Sequence, residues 1–256
     1  MILEHKNIKL KYSTIYKYLP LEEEIDNLAT ALSIKDYSSL SIDKKRLYGI
    51  YHGKIWFSKY GILGDPFEMK GFAYLKDKSE GLGLAQRLNN LFNEQSVAIA
   101  SFTKSKNNLP LWAHYASNHK GYCLELEIEL PKHVFPVTYH TERKKEYIYS
   151  QYTVNKQNMQ EMNQWAEQLC RKAKQWDYEE EMRVIYYSGN GAEIDGNGIL
   201  VNFNDFGLRL KRIIIGINCS NKNKKILGEL ARKLKIECSQ AVLSSQKYEV
   251  FDRKLP

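Results

Sequence analysis

The stretch Trp176-Asp177-Tyr178-Glu179-Glu180-Glu181-Met182-Arg183-Val184-Ile185-Tyr186-Tyr187 gathers aromatic, acidic and basic chemistry into one short run. Read as a strand from Met182 to Tyr187, it sends Met182, Val184 and Tyr186 to one side and Arg183, Ile185 and Tyr187 to the other. The same phase carried backwards sets Glu179, Glu181 and Arg183 in one row. Two carboxylates beside a guanidinium shift one another's ionisation, so the row suits a site that orients a sugar or holds a cationic intermediate. It equally suits a solvated strand edge laced with ion pairs.

Upstream of this stretch, Met159, Met162, Trp165, Ala166, Leu169, Cys170 and Ala173 recur at three and four residues, which predicts a long helix. Its methionines and tryptophan read as core rather than as a cofactor box. Downstream, the Gly- and Asn-rich linker from Gly189 to Gly198 reads as a hairpin or mobile loop. The apolar run Ile213 to Ile217 predicts a central strand. A helix follows from about Asn221 to Leu234, with Ile226, Leu227, Leu230, Ala231 and Leu234 on one face, and then a strand near Lys247 to Phe251.

Toward the N-terminus, Ile15 to Tyr18 reads as a short strand. Pro20 opens a helix with Glu22, Glu23 and Glu24 in its first turn and Leu21, Ile25, Leu28, Ala29 and Leu32 at helical spacing. Ser33 to Leu47 is polar and mixed, a loop with a helical turn. Lys54 to Ser58 is a strand, and Gly61 to Glu68 an irregular loop built on Gly64, Asp65 and Pro66. The carboxylates Asp65 and Glu68 in that loop either serve the turn and solvent or belong to a site. Leu84, Ala85, Leu88, Leu91 and Phe92 mark a helix, Val97 to Thr103 a strand, and Leu109 to Asn118 a short helix begun by Pro110. Leu124, Leu126 and Ile128 alternate with Glu125, Glu127 and Glu129, the pattern of a sheet with one wet face. Pro136 confines Val134 to Tyr139 to an edge or a bulge. Interleaved strands and helices without a βαβ rhythm or an internal repeat predict one α+β domain over residues 1–256, with insertions. Its sheet is expected to be curved, mostly antiparallel or mixed, and flanked by helices.

Composition bounds the partners. The chain has 256 residues and a formal charge of +8, from 38 Lys+Arg against 30 Asp+Glu. That balance admits RNA, DNA or a phosphorylated cofactor without choosing among them, since most of the charge is spread along the chain. Cys123, Cys170, Cys219 and Cys238 are far apart and read as reduced, mostly buried thiols. Met1 to Leu10 lacks the apolar run of a signal peptide, and no other stretch is long and apolar enough to span a bilayer. A cytoplasmic protein with no membrane association is the expectation.

The phosphate-binding G-x-x-x-x-G-K-[ST], G-x-G-x-x-G after a strand, H-E-x-x-H and G-x-S-x-G are all missing. This argues against an NTPase, a Rossmann dehydrogenase, a zincin and an α/β-hydrolase. His114 and His119, five apart, do not share a helix face, so no metal site is expected. His114 is either a positioned acid, base or phosphate contact, with Trp112 and Tyr115 nearby to stack a base or a nicotinamide, or a structural cap of its own helix.

The ordered set Tyr16-Lys17-Tyr18, Ile55-Trp56-Phe57-Ser58, Gly64-Asp65-Pro66-Phe67-Glu68, Ser101-Phe102-Thr103, Leu111-Trp112-Ala113-His114-Tyr115-Ala116, His119-Lys120-Gly121 and Trp176 to Arg183 resembles a bacterial family known only as a domain of unknown function, often met in mobile or phage-defence loci. It departs from that pattern at Gly64, usually Asn, and at Ser101, usually Cys. A looser resemblance is to ADP-ribosyltransferases. That fold places a basic residue on an early strand, a Ser or Tyr on a second strand and an essential Glu, often in an E-x-E pair, where a later strand begins. Here Lys17 or a neighbouring tyrosine, Ser58, and Glu179 with Glu181 come in that order, although the first residue of the family is Arg or His.

The resemblance implies NAD as substrate. Glu181 would steady an oxocarbenium-like ribose, Ser58 would fix Glu181, and Lys17 would hold the pyrophosphate. The candidate catalytic set is Glu181, Glu179, Ser58 and His114, and the candidate binding set is Lys17, Tyr18, Trp112, Tyr115, Arg183, Asp65 and Glu68. The expected function is a defence- or toxin-associated effector that cleaves NAD or transfers ADP-ribose to a nucleic-acid or protein target, with a neutralising or sensor partner. The alternatives are a nucleic-acid-binding or nuclease effector whose basic groove holds His114, Tyr115, Lys120 and Arg183, and a non-enzymatic sensing module.

Overall fold

The computed structural model describes residues 12–32, 37–59, 63, 65, 67, 72–75, 97–147, 169–187 and 197–255. In chain order its strands are β1 (Thr14–Leu19), β2 (Lys54–Lys59), β3 (Phe72–Leu75), β4 (Val97–Thr103), β5 (Tyr122–Ile128), β6 (Phe135–Pro136), β7 (Thr138–His140), β8 (Lys144–Tyr147), β9 (Arg171–Ala173), β10 (Glu181–Tyr187), β11 (Gly198–Asn202), β12 (Leu208–Ile215), β13 (Glu237–Leu243) and β14 (Val250–Lys254). Its α-helices are α1 (Leu28–Leu32), α2 (Ile42–Tyr51), α3 (Leu109–Tyr115) and α4 (Asn221–Leu234).

Ten strands make one mostly antiparallel sheet, in the order β11-β2-β4-β1-β5-β12-β13-β14, with β10 also on β4 and β6 beyond it. Among the described residues, only β12 and β13 run parallel in this sheet, joined by α4. Strand β10 pairs with β4 from Glu181 opposite Thr103 to Tyr187 opposite Val97. The opposite edge of β4 is divided: β2 holds it at Ala98 and Ile99, and β1 at Thr103. Between those attachments the sheet parts, and the Lys17 ammonium donates to the Ser101 carbonyl there at 2.9 Å. A backbone acceptor that loses its neighbouring strand needs such a partner.

Directly opposed residues share a face, so the register sorts the sheet into two sides. Ile15, Leu19, Phe57, Ala98, Ala100, Phe102, Met182 and Val184 face a large apolar core completed by α1, α2 and α4. On the other side Tyr18, Cys123 and Ile214 pack under Leu111 and Trp112 of α3. Beyond α3 that side stays polar, with Glu125 paired to Arg212 and Glu127 to Arg209 across β5 and β12. This is the wet face expected from the alternation of leucine and glutamate. Helix α3 starts on Asn108, whose side chain accepts from the Leu111 N–H at 3.2 Å. It ends in three successive left-handed residues, Ser117, Asn118 and His119. Gly121 follows, where a Cβ would lie 2.1 Å from the Leu19 carbonyl oxygen, so only glycine fits.

Several local expectations are corrected. The helix expected from Pro20 shrinks to α1, because residues before it find partners elsewhere. The Asp43 carboxylate accepts from the Glu22 and Glu23 N–H groups at 2.7 and 3.1 Å. Asn223 accepts from Ile25 N–H at 3.0 Å and donates to the Glu23 carbonyl at 2.9 Å. The polar segment through Leu47 instead supplies α2, capped by Ser41. Arg171–Ala173, expected as the end of a long helix, is strand β9, paired in parallel with β7. The strand expected near Lys247 to Phe251 is β14, shifted to Val250–Lys254, and it pairs with β13, a further strand beyond those expected. The expected helix at 84–92, most of that at 159–173, most of the loop at 61–68 and most of the linker at 189–198 lie outside the described residues. Among the described residues no helix is long and apolar enough to cross a membrane.

Asn223 is 4% exposed and holds two backbone groups that no helix satisfies. Asn223→Ala is expected to lower stability by on the order of 2 kcal/mol, the cost of stranding buried hydrogen-bonding groups. Urea denaturation measures this, and an unchanged midpoint would refute the assignment of those bonds.

Candidate active site

On the α3 side of the sheet, where β1 and β2 separate, lies a cavity of about 320 Å3. Tyr16, Lys17 and Tyr18 line it from β1, Ser58 from β2, and Ile99, Ser101 and Thr103 from β4. Tyr115, Lys172, Trp176, Glu179 and Glu181 close the opposite wall, and Asp65 contributes from its loop.

The acidic wall is a buried network of charges. Arg183 grips Glu181 through both oxygens, Nε to Oε1 at 2.8 Å and Nη2 to Oε2 at 3.0 Å. The Lys172 ammonium bridges the two carboxylates, 2.6 Å from Glu179 Oε2 and 3.0 Å from Glu181 Oε2. Tyr115 donates to Glu179 Oε1 at 2.7 Å. Arg183 is fully buried and reaches the Leu169 carbonyl with its remaining arm. Burial by itself would push the Glu181 carboxyl up, but the Arg183 guanidinium, the Lys172 ammonium and the Ser101 hydroxyl together hold it down at about 2. Lys172 also sits 5.1 Å over the Trp176 ring, the distance of a cation–π contact.

Local structure explains the aim of these groups. Residues 174–179 form a 3-10 turn, and Glu180 then takes a left-handed conformation at φ 44°. Glu179 therefore reaches the cavity from a turn, and only Glu181 and Arg183 occupy the strand row read from the sequence. The Glu181 N–H donates to the Tyr139 hydroxyl at 2.7 Å, which pins the first residue of β10. Strand β9 delivers Lys172, and Asn108 ties the start of α3 to the Tyr178 carbonyl.

The structure brings Lys17, Tyr18, Ser58, Asp65, Tyr115, Glu179 and Glu181 around one cavity. It does not bring every candidate there. Trp112 is fully buried, edge-on to Tyr18 and stacked with His119, with its indole N–H on the Lys106 carbonyl, so no face is left to stack a ligand. His114 is exposed and outside the cavity lining. Arg183 takes no part in a surface groove, because its guanidinium is sealed behind Glu181. Glu68 lies outside the described residues.

The hydroxyl that bonds Glu181 is that of Ser101, on the neighbouring strand β4 opposite Arg183 and diagonal to Glu181, while Ser58 stands one strand further away. Ser101, Lys172 and Tyr139 are the members that sequence reasoning missed. The alternation of Ser101-Phe102-Thr103 does place two hydroxyls on one face, which is a usable signal. Lys172 carried none, being read as part of a helix. Burial pushes the Lys17 ammonium down to about 8, against the pull of Glu181 and with a further push from Arg46. Among the described residues no group of three His, Cys, Asp or Glu side chains could hold a metal ion.

Because the folded-state value of Glu181 is depressed, its contribution to stability is present above the ordinary carboxylate value and is lost as pH falls toward about 2. Glu181→Gln leaves Arg183 buried without its counter-charge and is expected to cost about 3 kcal/mol at pH 7. Urea titrations of both proteins from pH 7 to 3 should show that gap constant above pH 5 and narrowing below it. A gap that stays constant to pH 3 would refute the ion pair.

Residues 111–184 match the sequence pattern of a family described as protein of unknown function, DUF2971. No curated protein and no solved structure matches the chain. The matched span runs from α3 into β10, so the similarity covers Tyr115, Lys172, Glu179, Glu181 and Arg183.

Proposed function

We propose that the cavity binds NAD and that the chain breaks the bond between nicotinamide and ribose, passing ADP-ribose to water or to a macromolecular acceptor. The observation that carries this reading is the Glu179 and Glu181 pair, held at the wall of a cavity with Glu181 kept ionised. Departure of nicotinamide takes the electron pair of the C–N bond and leaves a ribosyl cation, which anions fixed in advance stabilise. Of the two cations in the network, Arg183 is sealed away, and Lys172 alone lines the cavity. A ligand cation entering between the carboxylates therefore competes with the Lys172 ammonium for the same oxygens. The acceptor then attacks the anomeric carbon and gives up its proton, for which Glu179 is a suitable recipient. Lys17 offers a cation to the pyrophosphate, and Trp176 a partly exposed ring to a flat heterocycle. The ADP-ribosyltransferase-like pattern supports the same reading, since its basic, hydroxyl and acidic positions fall on the adjacent strands β1, β4 and β10 once Ser101 takes the serine position.

A second reading rests on a different observation. An open cavity of about 440 Å3 is lined by Tyr139, His140, Thr141, Glu142, Arg143, Arg171 and Lys174, and its three Lys or Arg residues against one Glu suit an anionic ligand. Nucleic acid held there is either the acceptor or, without NAD chemistry, the ligand itself.

Incubation with NAD labelled in the adenylate, with lysate added, tests both. Consumption of NAD is expected from the wild type. Glu181→Gln, assayed where near-UV circular dichroism shows it folded, should lower turnover by roughly 100-fold or more. Glu179→Gln, which leaves the grip of Arg183 intact, should also lower it. Full turnover in Glu181→Gln would overturn the proposal, and steeply salt-dependent RNA or DNA binding with no NAD loss would favour the second reading.

A further inference from the structure

Asp65 is the odd member of the cavity wall. It is 7% exposed, and its Oδ1 accepts from the Phe67 N–H at 2.9 Å, a bond that closes its own turn. Its Oδ2 is also buried, and among the described residues no donor reaches it. An ionised carboxylate carries about four acceptor sites, and a buried one with an oxygen left bare is a cost that a fold without a use for it would avoid. The bare oxygen belongs to a residue that lines the same cavity as Ser58 and Lys17, and among the described residues Asp65 has no hydrogen bond to the Glu179–Glu181 network.

We infer that Asp65 is the specificity-determining residue of this cavity, accepting a hydrogen bond from a ribose hydroxyl of the nucleotide and excluding a phosphate at that position. The inference rests on the NAD reading of the site. A bare carboxylate oxygen demands a donor, and among the parts of a dinucleotide the sugar hydroxyls are neutral donors that lose nothing by sitting against an anion. A ribose phosphate in the same place brings two negative charges toward a buried one. The contact thus favours the unphosphorylated cofactor on both counts. The turn bond to Phe67 holds the carboxylate in place before the ligand arrives, so its orientation costs nothing on binding.

Equilibrium binding of NAD and of NADP to the full chain tests this, using wild type, Asp65→Asn and Asp65→Ser. Both replacements can still accept from the Phe67 N–H, so the turn survives and the melting temperature should not fall. Wild type is expected to prefer NAD over NADP by tenfold or more. In Asp65→Asn, NAD should bind about tenfold more weakly and NADP more tightly, so that the preference disappears, and Asp65→Ser should follow it. If wild type binds NAD and the ratio of the two affinities is the same in all three proteins, the inference is overturned and the NAD reading stands. If wild type binds neither nucleotide, the NAD reading fails and takes the inference with it. A drop in melting temperature with an unchanged ratio would mark Asp65 as a turn residue alone.

Discussion

A fully buried guanidinium is the constraint on which this structure turns. Arg183 cannot remain in the interior without anions to match it, and Glu181 meets it with both oxygens. That pairing draws in the rest. Lys172 balances the second carboxylate, which obliges the chain before the turn to run as β9 beside β7. Tyr139 and Tyr115 then fasten the pair from two further elements. Each partner removed would strand a charge, so the segments 169–173, 174–179 and 181–183 are held as one unit. Two carboxylates and two cations nearly cancel, which lets so much charge stay buried at all.

The second determinant is geometric. One edge of β4 serves two neighbours, and the slit between them opens a concavity in the sheet. The charged unit lies on one side of that concavity and the β1 residues on the other. Helix α3, fixed by Asn108 and by its run of left-handed residues, roofs part of the same face. Fold and site are therefore not separable: the sheet supplies the hollow, and the buried ions supply its chemistry.

Much of this was legible in the sequence where local patterns decide structure. Strands β1, β2, β4, β5, β10 and β12 and helix α4 follow from alternation, apolar runs and helical spacing, because each buries its own pattern. The segment before α1 did not, since Asp43 and Asn223 supply from a distance the hydrogen bonds that a helix would have made for itself. Strand β9 did not either, since pairing with β7 and a buried ion pair outweigh a helical periodicity. Trp112 carried the composition of a stacking platform and turned out to be core, because spacing does not tell which aromatic of a short helix faces inward. Ser101 meets Glu181 only through the register of β4 against β10, and register across so long a separation in sequence has no local signal.

The slit also has an electrical meaning. The Lys17 side chain leaves β1 on the apolar side of the sheet, yet its ammonium lies in the opening at the Ser101 carbonyl and forms part of the hollow beyond. With its affinity for a proton lowered to about 8, this amine is only incompletely charged in mildly alkaline solution. An anion set beside it would raise that affinity and draw a proton from the medium. The gap in the backbone thus lets an amine rooted on the apolar side of the sheet present its charge to the hollow on the other side.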